Sequence, residues 1–174
     1  MSLMSLLIAA AAGVSAPAAP DAPGPLVNAE MGMLQCYRPD DAQKTCQSIA
    51  SYRKTGPGTY DNGAEIAASD GVTLETHTPV VIKGDAVCGT IRRQDILAGT
   101  IRVGGEPLDA KSAKPLLARI AQAIASVTTA EICTRYEPTD TGFTAKIFFA
   151  GAYQPGRDET VKWIRVDEGY TVTP

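Results

Sequence analysis

At 174 residues, the chain is long enough to enclose one hydrophobic core even after loss of an N-terminal export segment. Hydrophobic residues make up 44% and charged residues 20%, which excludes wholesale disorder and a membrane-spanning bundle. Lys and Arg number 16 against 19 Asp and Glu, and the formal net charge of -3 offers no electrostatic case for nucleic acid or for global attraction to anionic lipid.

The first feature in chain order is an uncharged apolar run from Leu3 to Ala12. It has the length of a signal-peptide core and is far too short for a stable transmembrane helix. Val14-Ser15-Ala16 places small residues where a signal peptidase cuts, and a Pro/Ala-rich stretch follows. The expected organisation is a signal peptide over 1–16, a spacer over 17–30 and a single disulfide-stabilised domain over 31–174. No cysteine stands at the cleavage position, so a soluble mature form without a lipid or transmembrane anchor is expected, in the periplasm or secreted.

Residues Thr45 to Arg53 read as a strand running into a turn at Thr55-Gly56-Pro57-Gly58, with a return strand from Thr59 to Ser69. Asn62-Gly63 within that return is itself a hairpin signal and reads as either the true turn or a bulge. Asp70-Gly71 then leads into an alternating run in which Val72, Leu74, Thr76, Thr78, Val80 and Ile82 share one face, bent or at an edge near Pro79. After a turn at Lys83-Gly84-Asp85 come a short extended segment with Cys88, one or two helical turns over Arg92 to Ala98, and a brief strand at Thr100 to Val103.

The longest predicted helix covers Ala113 to Val127. Leu116, Leu117, Ile120, Ile124 and Val127 recur at helical spacing, Ser112 is the expected N-cap, and Pro115 falls in the first turn. Two further hairpins close the pattern. One joins Glu131–Glu137 to Phe143–Ala150 through a longer loop, and the other joins Thr160–Val166 to Tyr170–Thr173 at Asp167-Glu168-Gly169. The expected fold class is α+β, a mainly antiparallel sheet of hairpins with one amphipathic helix packed on it.

Cys36, Cys46, Cys88 and Cys133 form an even set in an exported small domain, the pattern of disulfides. Three connectivities are possible, and Cys36–Cys46 with Cys88–Cys133 is favoured because the first closes a short polar turn and the second ties mid-chain to the strand after the helix. No pair has the spacing of a zinc site, and neither a metal nor another cofactor is expected.

His77 is the one histidine and sits on the strand face opposite Leu74 and Val80, which reads as a solvent-facing position. No nucleophile-elbow, zincin or phosphate-loop motif occurs. Asp85, Asp95, Glu106 and Asp109 are carboxylates that folding would have to bring together for glycosidase chemistry. Tyr37, Arg38, Tyr52, Arg53 and Tyr60, with Lys54, form the most suggestive ligand-binding group, since aromatic residues and Arg favour binding faces. Trp163 reads as a core or hairpin anchor.

The segments Leu34-Gln35-Cys36-Tyr37-Arg38-Pro39-Asp40, Val87-Cys88-Gly89-Thr90-Ile91 and Val161-Lys162-Trp163-Ile164, in this order and with this cysteine layout, resemble small secreted bacterial proteins of uncharacterised function. The resemblance implies export and one shared fold, and brings no catalytic residues with it. The resulting expectation is a non-catalytic binding or accessory domain, inhibitor-like, whose partner is an envelope component or another protein. The oligomeric state is left open. The rival expectation is a carboxylate-dependent hydrolase of envelope glycans.

Overall fold

Period-two alternation is the strongest local signal in this chain, and folding turns it into the inside and outside of a closed barrel. The computed structural model describes residues 24–125 and 129–173. Helix α1 (Val27–Glu30) precedes β1 (Leu34–Tyr37), β2 (Thr45–Cys46), β3 (Ser48–Gly56), β4 (Thr59–Ser69), β5 (Val72–Lys83) and β6 (Ala86–Gly89). Next come α2 (Arg93–Leu97), β7 (Thr100–Val103), β8 (Glu106–Pro107) and α3 (Ala110–Ala123). The chain returns through β9 (Ile132–Thr139), β10 (Gly142–Phe149), β11 (Ala152–Tyr153), β12 (Glu159–Ile164) and β13 (Thr171–Val172).

Taken in chain order, β1, β3, β4, β5, β6, β9, β10 and β12 each pair antiparallel with the next, and β12 pairs back on β1 to close the ring. The architecture is therefore an eight-stranded antiparallel β-barrel with extra strands, which corrects the expected α+β sheet of hairpins covered by a helix. Most of the predicted hairpins exist. What local patterning did not carry is the pairing of Leu34 with Ile164 and Tyr37 with Val161 that joins the two ends of the sheet.

Two-residue turns at Pro57-Gly58, Asp70-Gly71 and Gly84-Asp85 connect consecutive strands. Gly71 and Gly84 have φ of 67° and 63°, a region in which a side chain is strained. Asn62-Gly63 is neither turn nor bulge, because both residues pair in regular register with β3 and β5. A Cβ on Gly63 would lie 2.8 Å from the Ser51 hydroxyl oxygen, so glycine here answers a close cross-strand approach. The turn between β9 and β10 is shortened to Asp140-Thr141, as pairing runs on to Thr139 and Gly142.

The last predicted hairpin does not form. Instead of folding back on β12, β13 runs parallel to β2 and builds a small second sheet. Beneath it lies a satellite cluster of Cys36, Cys46 and Ile164, with Leu34, Ile49 and Tyr170 around it.

The long helix begins three residues earlier than Ser112 would have started it. Asp109 is the N-cap, its Oδ1 accepting from the backbone N–H groups of Lys111 and Ser112 at 3.0 and 3.1 Å. Pro115 therefore stands inside the helix rather than in its first turn. Ala113, Leu117 and Ile120 pack with Leu74 and Ile101, so the helix sits beside β5 and β7. Leu116 is 38% exposed and leaves the predicted stripe, while Val127 lies outside the described residues.

Both expected disulfides are present, Cys36–Cys46 and Cys88–Cys133. Cys88 and Cys133 face each other in the β6–β9 register, which staples the two barrel strands separated by the α2–α3 insertion. Closing loops of 10 and 45 residues removes about 3 and about 4 kcal/mol of denatured-state entropy respectively. The expected signal segment lies outside the described residues, and Leu26 and Ala29, in the stretch read as spacer, are buried in the core. No helix among the described residues is long and apolar enough to cross a membrane.

Candidate ligand-binding cavity

Alternation assigns one residue in two to the barrel interior. These are Gln35 and Tyr37 on β1, Ala50 and Tyr52 on β3, the even-numbered residues of β4 and β5, and Ile132, Thr134 and Tyr136 on β9. The two parts of this interior differ in side-chain size. In one, Trp163, Tyr60, Val80 and Val87 pack against Leu26 and Ala29 of the α1 segment, with Phe143 and Met33 around them. In the other, Ala64, Ala68, Thr76, Thr78, Gly89 and Thr134 are too small to meet across the barrel, and a cavity of about 540 Å³ remains. Eight strands enclose a space of the right width for side chains alone or for one small ligand.

Ile91, Ile96 of α2, Ile120 of α3 and Ile124 just after that helix complete the cavity wall. Ile66, an inward-facing residue of β4, is 41% exposed, so the cavity is reached by solvent at that rim. No Asp, Glu, Lys, Arg or His lines the space among the described residues. Its polar content is a set of hydroxyls and one amide, from three tyrosines, three threonines and Asn62.

The tyrosines converge. Tyr37, Tyr52 and Tyr136 direct their hydroxyls at the Gln35 Oε1 at 3.2, 2.8 and 3.1 Å, and the Tyr37 and Tyr136 oxygens lie 2.9 Å apart. Gln35 is fully buried, and its Nε2 has no hydrogen-bond partner. Burial holds all three phenols above their ordinary pKa; Tyr52 and Tyr136 push Tyr37 the same way, as Tyr136 does Tyr52. At neutral pH the group is therefore a set of uncharged O–H donors.

Of the five residues expected to bind a ligand, folding brings two to this cavity, Tyr37 and Tyr52. Arg38 and Arg53 point outward and pair with Glu159 at 3.1 Å and Asp61 at 3.0 Å. Tyr60 is consumed by the packed core, its hydroxyl donating to the Glu30 carboxylate at 2.7 Å, which also accepts from Lys54. Sequence reasoning missed Gln35 and Tyr136. The alternation of Gln35 with Tyr37, and of Tyr136 with Ile132 and Thr134, marks them as inward-facing, but nothing local says that two strands so distant in sequence face each other.

The other candidates occupy structural positions. His77 is exposed and its Nδ1 lies 3.1 Å from an Asp61 oxygen. Asp85 pairs with Arg135, Asp95 caps α2 through Arg92, Asp109 caps α3, and Glu106 stands exposed on β8. Each of these four carboxylates is thus paired with a cation, engaged at a helix start or exposed. Cys88, Glu131 and Cys133 place potential metal-ligand atoms together, but the two sulfurs are bonded to each other and hold no thiolate. No family model, curated protein or solved structure matches the chain.

Proposed function

We propose that this chain is an exported, non-catalytic binding domain and that it carries a small, uncharged, apolar molecule inside the barrel. The observation that supports this is the cavity of about 540 Å³, which has the size and the mostly apolar lining of small-molecule sites. Ile66, Ile120, Ile124 and Ile132 face it without being fully buried, so a ligand would gain by removing their remaining apolar surface from water. A charged ligand would find no counter-ion there among the described residues, and burying an unpaired charge is prohibitive. The two disulfides suit the periplasm or the extracellular space, where a carrier of lipophilic molecules from the envelope would work. Cys36, Cys88 and Cys133 alternate with inward-facing neighbours and so lie on the outer side of their barrel strands, while Cys46 stands on β2 outside the ring.

The test is titration of the oxidised protein with N-phenylnaphthylamine, an uncharged apolar fluorophore. The expected result is a saturable fluorescence rise at one probe per chain. Ala64→Phe, which fills the cavity, should weaken binding at least about tenfold, and Ala68→Trp at the rim serves if that variant does not fold. Absence of saturable binding, or filled variants that bind like the wild type, would overturn the reading.

A further inference from the structure

The tyrosine hydroxyls in the cavity wall are used up on the Gln35 oxygen and on one another. Thr76, Thr78 and Asn62 line the same space in a different state. Asn62 stands opposite Thr78 in the β4–β5 register, and Thr76 is the next inward residue of β5, opposite Ala64. Side chains directly opposite on paired strands sit about 5 Å apart, so the three border one patch of wall beside the Ala64 methyl. Thr76 is only 7% exposed, yet its hydroxyl has no hydrogen-bond partner among the described residues. The Thr78 hydroxyl has none either. The Asn62 amide nitrogen donates to the Ser51 carbonyl at 3.1 Å, which fixes the orientation of the amide and leaves its Oδ1 without a donor. An unpaired hydroxyl in an apolar interior is costly, and valine would have nearly the same shape without that cost. Buried polar groups whose role is structural are normally paired.

We propose that the ligand carries a hydroxyl group bound by Asn62, Thr76 and Thr78, its O–H donating to Asn62 Oδ1 and its oxygen accepting from a threonine hydroxyl. The proposal rests on the binding reading above and names the ligand class, lipophilic alcohols. A hydroxyl both donates and accepts, as this mixed set of groups requires. A carbonyl would accept from threonine but brings no proton for Asn62 Oδ1, and a hydrocarbon answers neither need. A carboxylate or an ammonium group meets no counter-ion in the cavity among the described residues. Ile66, Ile96 and Ile120, with Ala64 and Ala68, take the apolar remainder of the molecule.

The discriminating experiment measures displacement of N-phenylnaphthylamine from the oxidised protein by 1-decanol and by 1-fluorodecane, whose fluorine is close to the hydroxyl in size and cannot donate. Combining Thr76→Val with Thr78→Val removes both hydroxyls and keeps the side-chain shape. Relative to fluorodecane, decanol should bind this double variant about fivefold more weakly than it binds the wild type, the ratio of one net hydrogen bond. Without ligand, the melting temperature of the variant should be unchanged or raised, because the hydroxyls it loses have no partner within the protein. The single variants give the same two readouts should the double variant fail to fold. A ratio of the two affinities that is the same in variant and wild type, or a ligand-free variant that melts lower, would overturn the hydroxyl proposal and leave the cavity reading standing. If neither probe displaces the dye from the wild type, both fail.

Discussion

At the scale of single residues, the interior chemistry depends on keeping three phenols out of water. Tyr37, Tyr52 and Tyr136 have pKa values raised by burial, and the sign of the consequence follows from linkage. An unfolded tyrosine ionises near pH ~10, so below that pH both states are protonated and the contribution of these residues is fully present. Above it the unfolded chain loses protons that the folded barrel keeps, and stability falls as pH rises toward the folded values. Denaturant unfolding between about pH 9 and about pH 11 should register this decline. Phenolate absorbance should show the three residues ionising only with the unfolding transition. If all 6 tyrosines of the chain titrate together with the barrel intact, the burial of the cluster is wrong. Because no carboxylate, histidine or amine lines the cavity among the described residues, probe affinity should stay flat over the neutral range.

At the scale of elements, local preference and tertiary placement compete most visibly in α3. Ser112 is a good N-cap by type, yet Leu108 packs in the cluster of Leu74 and Ile101 and sets the helix start at Asp109, directly after the β7–β8 hairpin. The cost is Pro115 in the helix interior, where it removes the N–H that would otherwise bond the Lys111 carbonyl. Pro115 is exposed, so Pro115→Ala should stabilise the protein by about 1 to 3 kcal/mol, measured by denaturant unfolding. An unchanged or lowered stability would mean that the helix does not run regularly through this position. Asn62-Gly63 is the converse case. It is a strong hairpin signal, but partners on both sides hold β4 straight through it. Strand β5 followed its pattern throughout, with Leu74, Thr76, Thr78 and Val80 inward and His77 outward.

At the scale of the molecule, closure of the ring makes the cavity and also removes the exposed edges that invite aggregation. Strand β12 is the closing piece, bonded to β1 on one side and β10 on the other. A chain ended at Asp158 would leave both neighbours with unpaired edges and would lose Trp163 and Val161 from the interior. It should aggregate, as light scattering after size exclusion would reveal. A monodisperse truncated protein that still binds the neutral probe would show that closure is dispensable.

The sequence by itself determined the hairpin turns at Asp70-Gly71 and Gly84-Asp85, the inward face of β5, the helix near Ala113 and the expectation that the four cysteines are bonded, while which cysteine meets which was read from the folded chain. Each rests on short-range causes: backbone conformations open to glycine, side-chain periodicity, and the redox logic of an even cysteine set. Only the tertiary structure decided that the sheet closes, that β13 joins β2, and that Gln35 meets Tyr136 across the barrel. Those outcomes depend on strand tilt and register accumulated over the whole sheet, and on pairing between β1 and β12 across more than a hundred residues of sequence. No local pattern records such a sum. The group expected from sequence and the group lining the cavity therefore share Tyr37 and Tyr52; Arg38, Arg53 and Tyr60 lie elsewhere, and Tyr136 joins the lining with Gln35 hydrogen-bonded behind it.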